Sequence, residues 1–180
     1  VCYLDSFPQL ASERTGIFVG KHRIWTKKLT ELVDSFCEKY NAVVFCDQTS
    51  NYHGKYGIWP YIVTAQSQYS SPLATMDTLI HIGKISGSYI SLNPKKVWRV
   101  NPDGEVRDPF HKLTTVFEMD EEHFFEAINA KMRKKKEPEF FYKWKDEVTS
   151  IRQMIPELPF SNAWIAQKTL PKIPDNSCLL

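Results

Sequence analysis

The chain has 180 residues, of which 42% are hydrophobic and 24% charged, and its formal net charge is +2. That composition belongs to a globular protein long enough to bury a core, and so small a charge excludes the strong field of a dedicated nucleic-acid or membrane-surface binder. No apolar run approaches the roughly 18–20 residues that a membrane-spanning helix needs.

The chain opens on VCYL, a short apolar run without an initiator Met. Residues 1–9 are expected to be the tail of a preceding linker, with a domain beginning near residue 10. The first strand candidate is GIFVG at 16–20. After it, apolar residues at Trp25, Leu29, Leu32, Val33, Phe36 and Tyr40 recur at spacings of three and four, with Lys27, Lys28, Glu31, Asp34 and Glu38 between them. That is one stripe of an amphipathic helix over 25–40. AVVFCD at 42–47 is the second strand candidate, so the segment predicts a βαβ unit with a right-handed crossover.

From Gln48 to Thr75 the chain is rich in Tyr, Ser and Gly, which predicts a loop with a short helix. Three further apolar runs follow: TLIHIG at 78–83, KVWRVN at 96–101 and TTVFEMD at 114–120. All five runs are near-continuous rather than alternating, as strands covered on both faces require. The turn signal Pro102-Asp103-Gly104 separates the last two. A second helix is expected over 120–132, with Asp120 as N-cap and Phe124, Phe125 and Ile128 facing inward.

Beyond Met132 the composition shifts. RKKKEPE reads as a solvated exit rather than an RNA-binding patch. FFYKWKDEVTSIRQM reads as an amphipathic helix, and IPELPF breaks it with two prolines. The expected architecture is an α/β, three-layer, Rossmann-like, doubly wound parallel sheet of about five or six strands with a C-terminal helical linker. The domain is expected over 10–132, a linker helix over 133–160, and the start of another domain over 161–180. That last stretch ends at Leu180 in what reads as the opening of a strand, so the chain is expected to be a segment of a longer polypeptide.

In an open parallel sheet, ligands bind at the carboxyl ends of the strands. Those ends carry Gly20-Lys21-His22-Arg23, Asp47-Gln48-Thr49-Ser50, Gly83-Lys84 and Asn101-Pro102-Asp103. Lys21 and Arg23 supply positive charge, Thr49 and Ser50 hydroxyl donors, and Gly83 a close backbone approach. Gly20, Lys21, Arg23, Thr49, Ser50, Gly83 and Lys84 are therefore the candidate crevice for a small anion or mononucleotide. GKHRIW lacks the later glycines of GxGxxG, so a full FAD is not expected to bind.

No other chemistry stands out. His22, His53, His81, His111 and His123 show no metal-ligand grouping, and His81 reads as a satisfied core residue. Asp47, Ser50 and His53 could form a hydrolase triad only on paper, since no GxSxG elbow supports it. Cys2, Cys37, Cys46 and Cys178 read as reduced thiols of a cytoplasmic protein, not as a disulfide framework or a metal set. Neither catalytic nor metal-binding residues are expected.

The order of elements carries a resemblance. GIFVGKHR, AVVFCDQTSNYHGKYGI, TLIHIGKISGSY and VWRVNPDGEVRDPFHKLTTVFEMDEEHFFEAI together resemble the central domain of thiamine-diphosphate-dependent enzymes. LPFSNAWIAQKTLPKIPDNSCLL resembles the entry to their diphosphate-binding domain. Over roughly residues 10–180 the likeness is to 2-succinyl-5-enolpyruvyl-6-hydroxy-3-cyclohexene-1-carboxylate synthases of menaquinone biosynthesis and to acetolactate-synthase-like enzymes. It implies a homo-oligomeric parent acting on 2-oxo acids, with thiamine diphosphate and Mg²⁺ held by flanking pyrimidine- and diphosphate-binding domains. The activating Glu and the GDG…N metal motif of those domains are not in this sequence, so a non-catalytic, structural or regulatory part is implied, with neither nucleic acid nor membrane as partner. The alternative is a free-standing Rossmann-like nucleotide-binding module, which would need a glycine-rich first turn.

Overall fold

A computed structural model describes residue 10, residues 14–22, 25–84, 90–131 and 137–174, and residue 177. Six strands form one wholly parallel sheet: β1 (Thr15–Val19), β2 (Ala42–Cys46), β3 (Gly57–Ile58), β4 (Thr75–Ile82), β5 (Asn93–Asn101) and β6 (Leu113–Glu118). Their spatial order is β3-β2-β1-β4-β5-β6. Helices lie on both faces, so the fold is the expected α/β, Rossmann-like one. The five apolar runs of the sequence each lie in a strand. β3 is the addition, two residues whose pairing with Val44 and Phe45 leaves no periodic signature.

One face is covered by α1 (Lys27–Tyr40) and α3 (Glu121–Lys131). Ile17, Val19, Val44, Ile80, Ile82, Trp98 and Val100 meet Leu29, Val33 and Phe36 of α1 and Phe124, Phe125 and Ile128 of α3. Helix α1 starts later than the stripe suggests, because Thr26 is its N-cap and accepts from the Leu29 N–H at 2.9 Å. Trp25 therefore precedes the helix and packs its ring against His22 and Tyr52. Polar links join the two helices: Tyr40 donates to the Ile128 carbonyl at 2.7 Å, Asn129 to the Leu32 carbonyl at 2.9 Å, and Lys39 to the Asn129 carbonyl at 2.9 Å, while Lys28 pairs with Glu126 at 2.6 Å and Glu122 at 3.5 Å.

The other face is covered by α4 (Glu139–Gln153), with the single turn α2 (Tyr61–Thr64) beside it. The stretch read as a linker helix thus supplies a layer of the fold. Phe140, Phe141, Trp144 and Val148, at spacings of three and four, pack on Phe18, Val43, Phe45, Leu79 and Val97. Trp144 meets the Phe45 ring edge-on at 5.0 Å. Asn41 ties the helices on opposite faces together. It is the left-handed C-cap of α1, and its side-chain oxygen accepts from the Phe140 N–H at the start of α4 at 2.9 Å. After Gln153 a short helix α5 (Asn162–Thr169) follows, and it buries none of its residues.

Because every strand runs the same way, Gly20, Asp47, Gly83 and Asn101 fall on one edge of the sheet, as expected. Trp144 is wholly buried, so Trp144→Ala is expected to cost about 3–5 kcal/mol, the usual cost of emptying an aromatic core site. Urea unfolding of the two proteins checks this; a loss under about 1 kcal/mol would show α4 to be peripheral.

Candidate functional site

The chain leaves β1 toward β2 on one side of the sheet and reaches β4 on the other. The gap between the carboxyl ends of β1 and β4 is therefore the point where strand order reverses and where open α/β sheets place their ligands. Here that gap is laced by main chain. The Gly20 N–H donates to the Ile82 carbonyl at 3.0 Å, Lys21 to Lys84 at 2.7 Å, and Lys84 back to Lys21 at 3.0 Å. The last two make an isolated antiparallel bridge. A Cβ on Gly20 would lie 2.1 Å from the Lys84 carbonyl oxygen. Glycine is needed at this position so that the loop leaving β4 can cross it.

His22 secures the lacing. Its Nε2 lies 2.8 Å from Glu121 Oε2 and its Nδ1 lies 3.1 Å from the Gly20 carbonyl. Both ring nitrogens face acceptors, and only the doubly protonated imidazolium can donate to both. Burial opposes that charge, but the Glu121 carboxylate and the Gly20 carbonyl outweigh it, and the pKa of His22 is raised. The second oxygen of Glu121 accepts from the Gly83 N–H at 2.9 Å. Gly83 adopts φ +74°, and a Cβ there would fall 2.4 Å from the His22 ring. Glu121 is the first residue of α3, where the helix dipole favours a carboxylate. The clasp thus joins β1, β4 and α3.

Beside the clasp opens a cavity of about 750 Å³, reached from the carboxyl edge and lined by residues of β5 as well. Arg99 is its most deeply placed charge. The residue is 2% exposed, and its Nε and Nη1 have no hydrogen-bond partner. Burial lowers its pKa, which the charges of Asp103 and Glu121 partly oppose; an arginine stays cationic in any case. Two residues on, Asn101 donates to Asp103, while its own side-chain oxygen is buried without a partner.

Of the residues singled out in the sequence, Lys21, Gly83 and Lys84 line this cavity, and Gly20 lies beneath the bridge. Thr49 and Ser50 stand in the turn after β2. The Thr49 N–H and hydroxyl both donate to Asp47 Oδ1, at 2.6 and 2.7 Å, and the Ser50 carbonyl accepts from the Trp25 indole. Arg23 lies outside the described residues. His22, Arg99, Asn101 and Glu121 were not singled out. A charge inside the apolar run KVWRVN was the one local signal for Arg99, whereas Glu121 is 99 residues from His22 and gave none.

His81 is a core residue as expected but not a satisfied one. Both its nitrogens lack partners, and burial, helped by the charges of Arg99 and His22, holds its pKa down to about 3. No hydrogen bond links His53 to Asp47 or Ser50 among the described residues. Cys37 and Cys46 are free and buried, their thiols pushed up by that burial, Cys46 to about 12. Cys2 and Cys178 lie outside the described residues. Among the described residues no three His, Cys, Asp or Glu are placed to hold a metal ion, and no helix is long and apolar enough to cross a membrane.

The fold and its crevice define an α/β domain of Rossmann-like class. No family model matches the chain. It is similar to 2-succinyl-5-enolpyruvyl-6-hydroxy-3-cyclohexene-1-carboxylate synthase of Bacteroides fragilis, at 38% identity over 88 residues, covering 48% of this chain and 15% of that one. The synthase of the same name from Bacteroides thetaiotaomicron is 36% identical over 87 residues, with the same coverage. The matched stretch therefore spans about 15% of the curated relatives' length.

The raised pKa of His22 fixes the sign of a pH effect. A group whose folded pKa lies above its unfolded value stabilises fully below the unfolded value, and that stabilisation fades as pH rises through the folded one. The stability lost in His22→Gln is expected to be about 2 kcal/mol at pH 6, the scale of a charge-assisted hydrogen bond, and to shrink as pH rises above 6.5, the ordinary value. Denaturant melts of both proteins across neutrality check it; a gap that widens with pH would refute the imidazolium assignment.

Proposed function

We propose that the chain is a Rossmann-like domain of a thiamine-diphosphate-dependent carboligase, of the 2-succinyl-5-enolpyruvyl-6-hydroxy-3-cyclohexene-1-carboxylate synthase kind, that acts on 2-oxo acids. Its part is to hold the flanking pyrimidine- and diphosphate-binding domains in a homo-oligomeric parent, not to make or break bonds. The match of about half the chain, at 36–38% identity, carries this reading.

Two physical features support it. The turn after β1, where a diphosphate would rest in a dinucleotide-binding sheet, has its N–H groups committed to the lacing. The residues present do not fit a diphosphate there, and no step is assigned to one. In this reading thiamine diphosphate and Mg²⁺ belong to the flanking domains, and FAD is not held by this one. The second feature is the stretch around α5. Phe160 is 82% exposed and Leu170 59%, and apolar surface of this kind is what further protein covers.

The 180-residue chain, given thiamine diphosphate and Mg²⁺, is expected to release no CO₂ from pyruvate or 2-oxoglutarate, and the product of its complete reading frame is expected to do so. Release by the chain alone above a buffer blank would overturn the non-catalytic assignment. An inert full-length product would overturn the carboligase assignment.

A further inference from the structure

We propose that β6 is a self-association edge: two copies of this chain pair their β6 strands antiparallel about a twofold axis at Thr115, so that one sheet runs through both. The inference uses only the chain's own sheet edge and does not rest on the reaction of the parent enzyme.

A strand at the edge of a sheet carries backbone N–H and C=O groups that point away from its neighbour, and such a row accepts another strand. The two edges of this sheet are unequal. β3 offers two residues. β6 offers six, and among the described residues no strand lies beyond it. Natural edges are commonly guarded by a proline or by charges along the strand. The stretch LTTVF, from Leu113 to Phe117, holds neither. Thr114, Thr115 and Val116 are consecutive β-branched residues, which suit a pleated, half-buried surface. None of the three is buried within the single chain.

Charge selects the occupant. The stretch is bracketed by Lys112 and Glu118, both exposed, and neither makes an ion pair among the described residues. They are opposite in sign and stand symmetrically about Thr115. With Thr115 facing itself across the axis, Lys112 lies opposite the partner's Glu118, and Glu118 opposite the partner's Lys112. Directly opposite residues of an antiparallel pair share a face, so both pairs attract. A parallel partner in the same register would set like charge on like at both ends. A slip of register along the antiparallel pair would lose both attractions. The edge is thus complementary to itself, as a closed twofold interface requires. The irregularity in its pairing with β5, between Val97 and Trp98, adds to the selection. A bulge bends a strand, so a flat foreign strand fits this edge poorly, whereas a second copy brings the same bend.

The test is sedimentation velocity of the 180-residue chain over a range of concentrations. A seam of seven residues a side, Lys112 to Glu118, is small against the roughly 20–30 of a standard interface. A dissociation constant of about 100 µM is therefore expected. Lys112→Glu and Glu118→Lys, each alone, are expected to weaken the dimer at least about tenfold. The double variant is expected to restore it, because the swap forms each pair again with its signs reversed. Thr115→Lys sets two like charges face to face on the axis and is expected to abolish the dimer. Should a variant fail to fold, amide hydrogen exchange of the unaltered chain decides, with protection over residues 114–118 expected to rise with concentration. A chain that stays at its monomer mass of 21.0 kDa up to about 1 mM, tenfold above the expected constant, would overturn the proposal. So would a dimer of equal strength in a folded Thr115→Lys chain, or a folded double variant that associates no better than either single one. Those last two outcomes would place the contact elsewhere, as on the exposed apolar residues around α5.

Discussion

The pairing of Lys21 with Lys84 across the strand-order reversal is the contact on which the rest of this edge depends. In a parallel sheet, β1 and β4 are neighbours without being consecutive, and their exits would normally diverge to leave a groove. Here each exit loop hydrogen-bonds to the other before turning away, and two glycines make it possible: Gly20 by lacking a Cβ, Gly83 by adopting a positive φ. The His22 imidazolium then draws in Glu121, and with it the first turn of α3. A local main-chain economy thereby decides where a helix 99 residues away docks, and it converts a potential diphosphate groove into the wall of a cavity centred one strand further along, on β5.

What the sequence made legible follows from where each residue finds its partners. The strands could be read because burial on both faces demands unbroken apolar runs, and AVVFC or TLIHI can hardly be anything else. The stripes of α1, α3 and α4 could be read for the same reason, one face at a time. Whether the stripe from Phe140 to Val148 meets the domain's own sheet or a neighbour was not legible, since amphipathicity reports that a face is buried and not against what. Gly20, Lys21, Gly83 and Lys84 were found as strand-end residues. The clasp was not, because a His–Glu pair so far apart in sequence leaves no local pattern. Thr49 was readable as a hydroxyl donor, but Asp47 two residues earlier competes for that donor, as Asx-type turns do.

Arg99 shows how a buried charge can pass unnoticed in a hydrophobic run. Its neighbours Val97, Trp98 and Val100 are fully enclosed, and a strand with that company reads as core. The sheet keeps a cation there without pairing it, while the neutral His81 beside it on β4 is held uncharged partly by that same cation. Two strongly polar side chains buried in register on adjoining strands of a parallel sheet are costly to the fold.

The late position of α4 in the chain has a consequence for biosynthesis. The sheet's second face, with Phe18, Val43, Phe45 and Val97, is specified long before its cover at Glu139–Gln153 is made. While the chain is being synthesised, α1 and α3 can close the first face, but the second stays open to water and to other nascent chains until Trp144 has emerged. The Asn41 side chain, already fixed at the end of α1, then offers the incoming helix a waiting acceptor for the Phe140 N–H. The interval between residue 131 and residue 153 is thus the span of translation during which this domain is most exposed to aggregation and most in need of a chaperone.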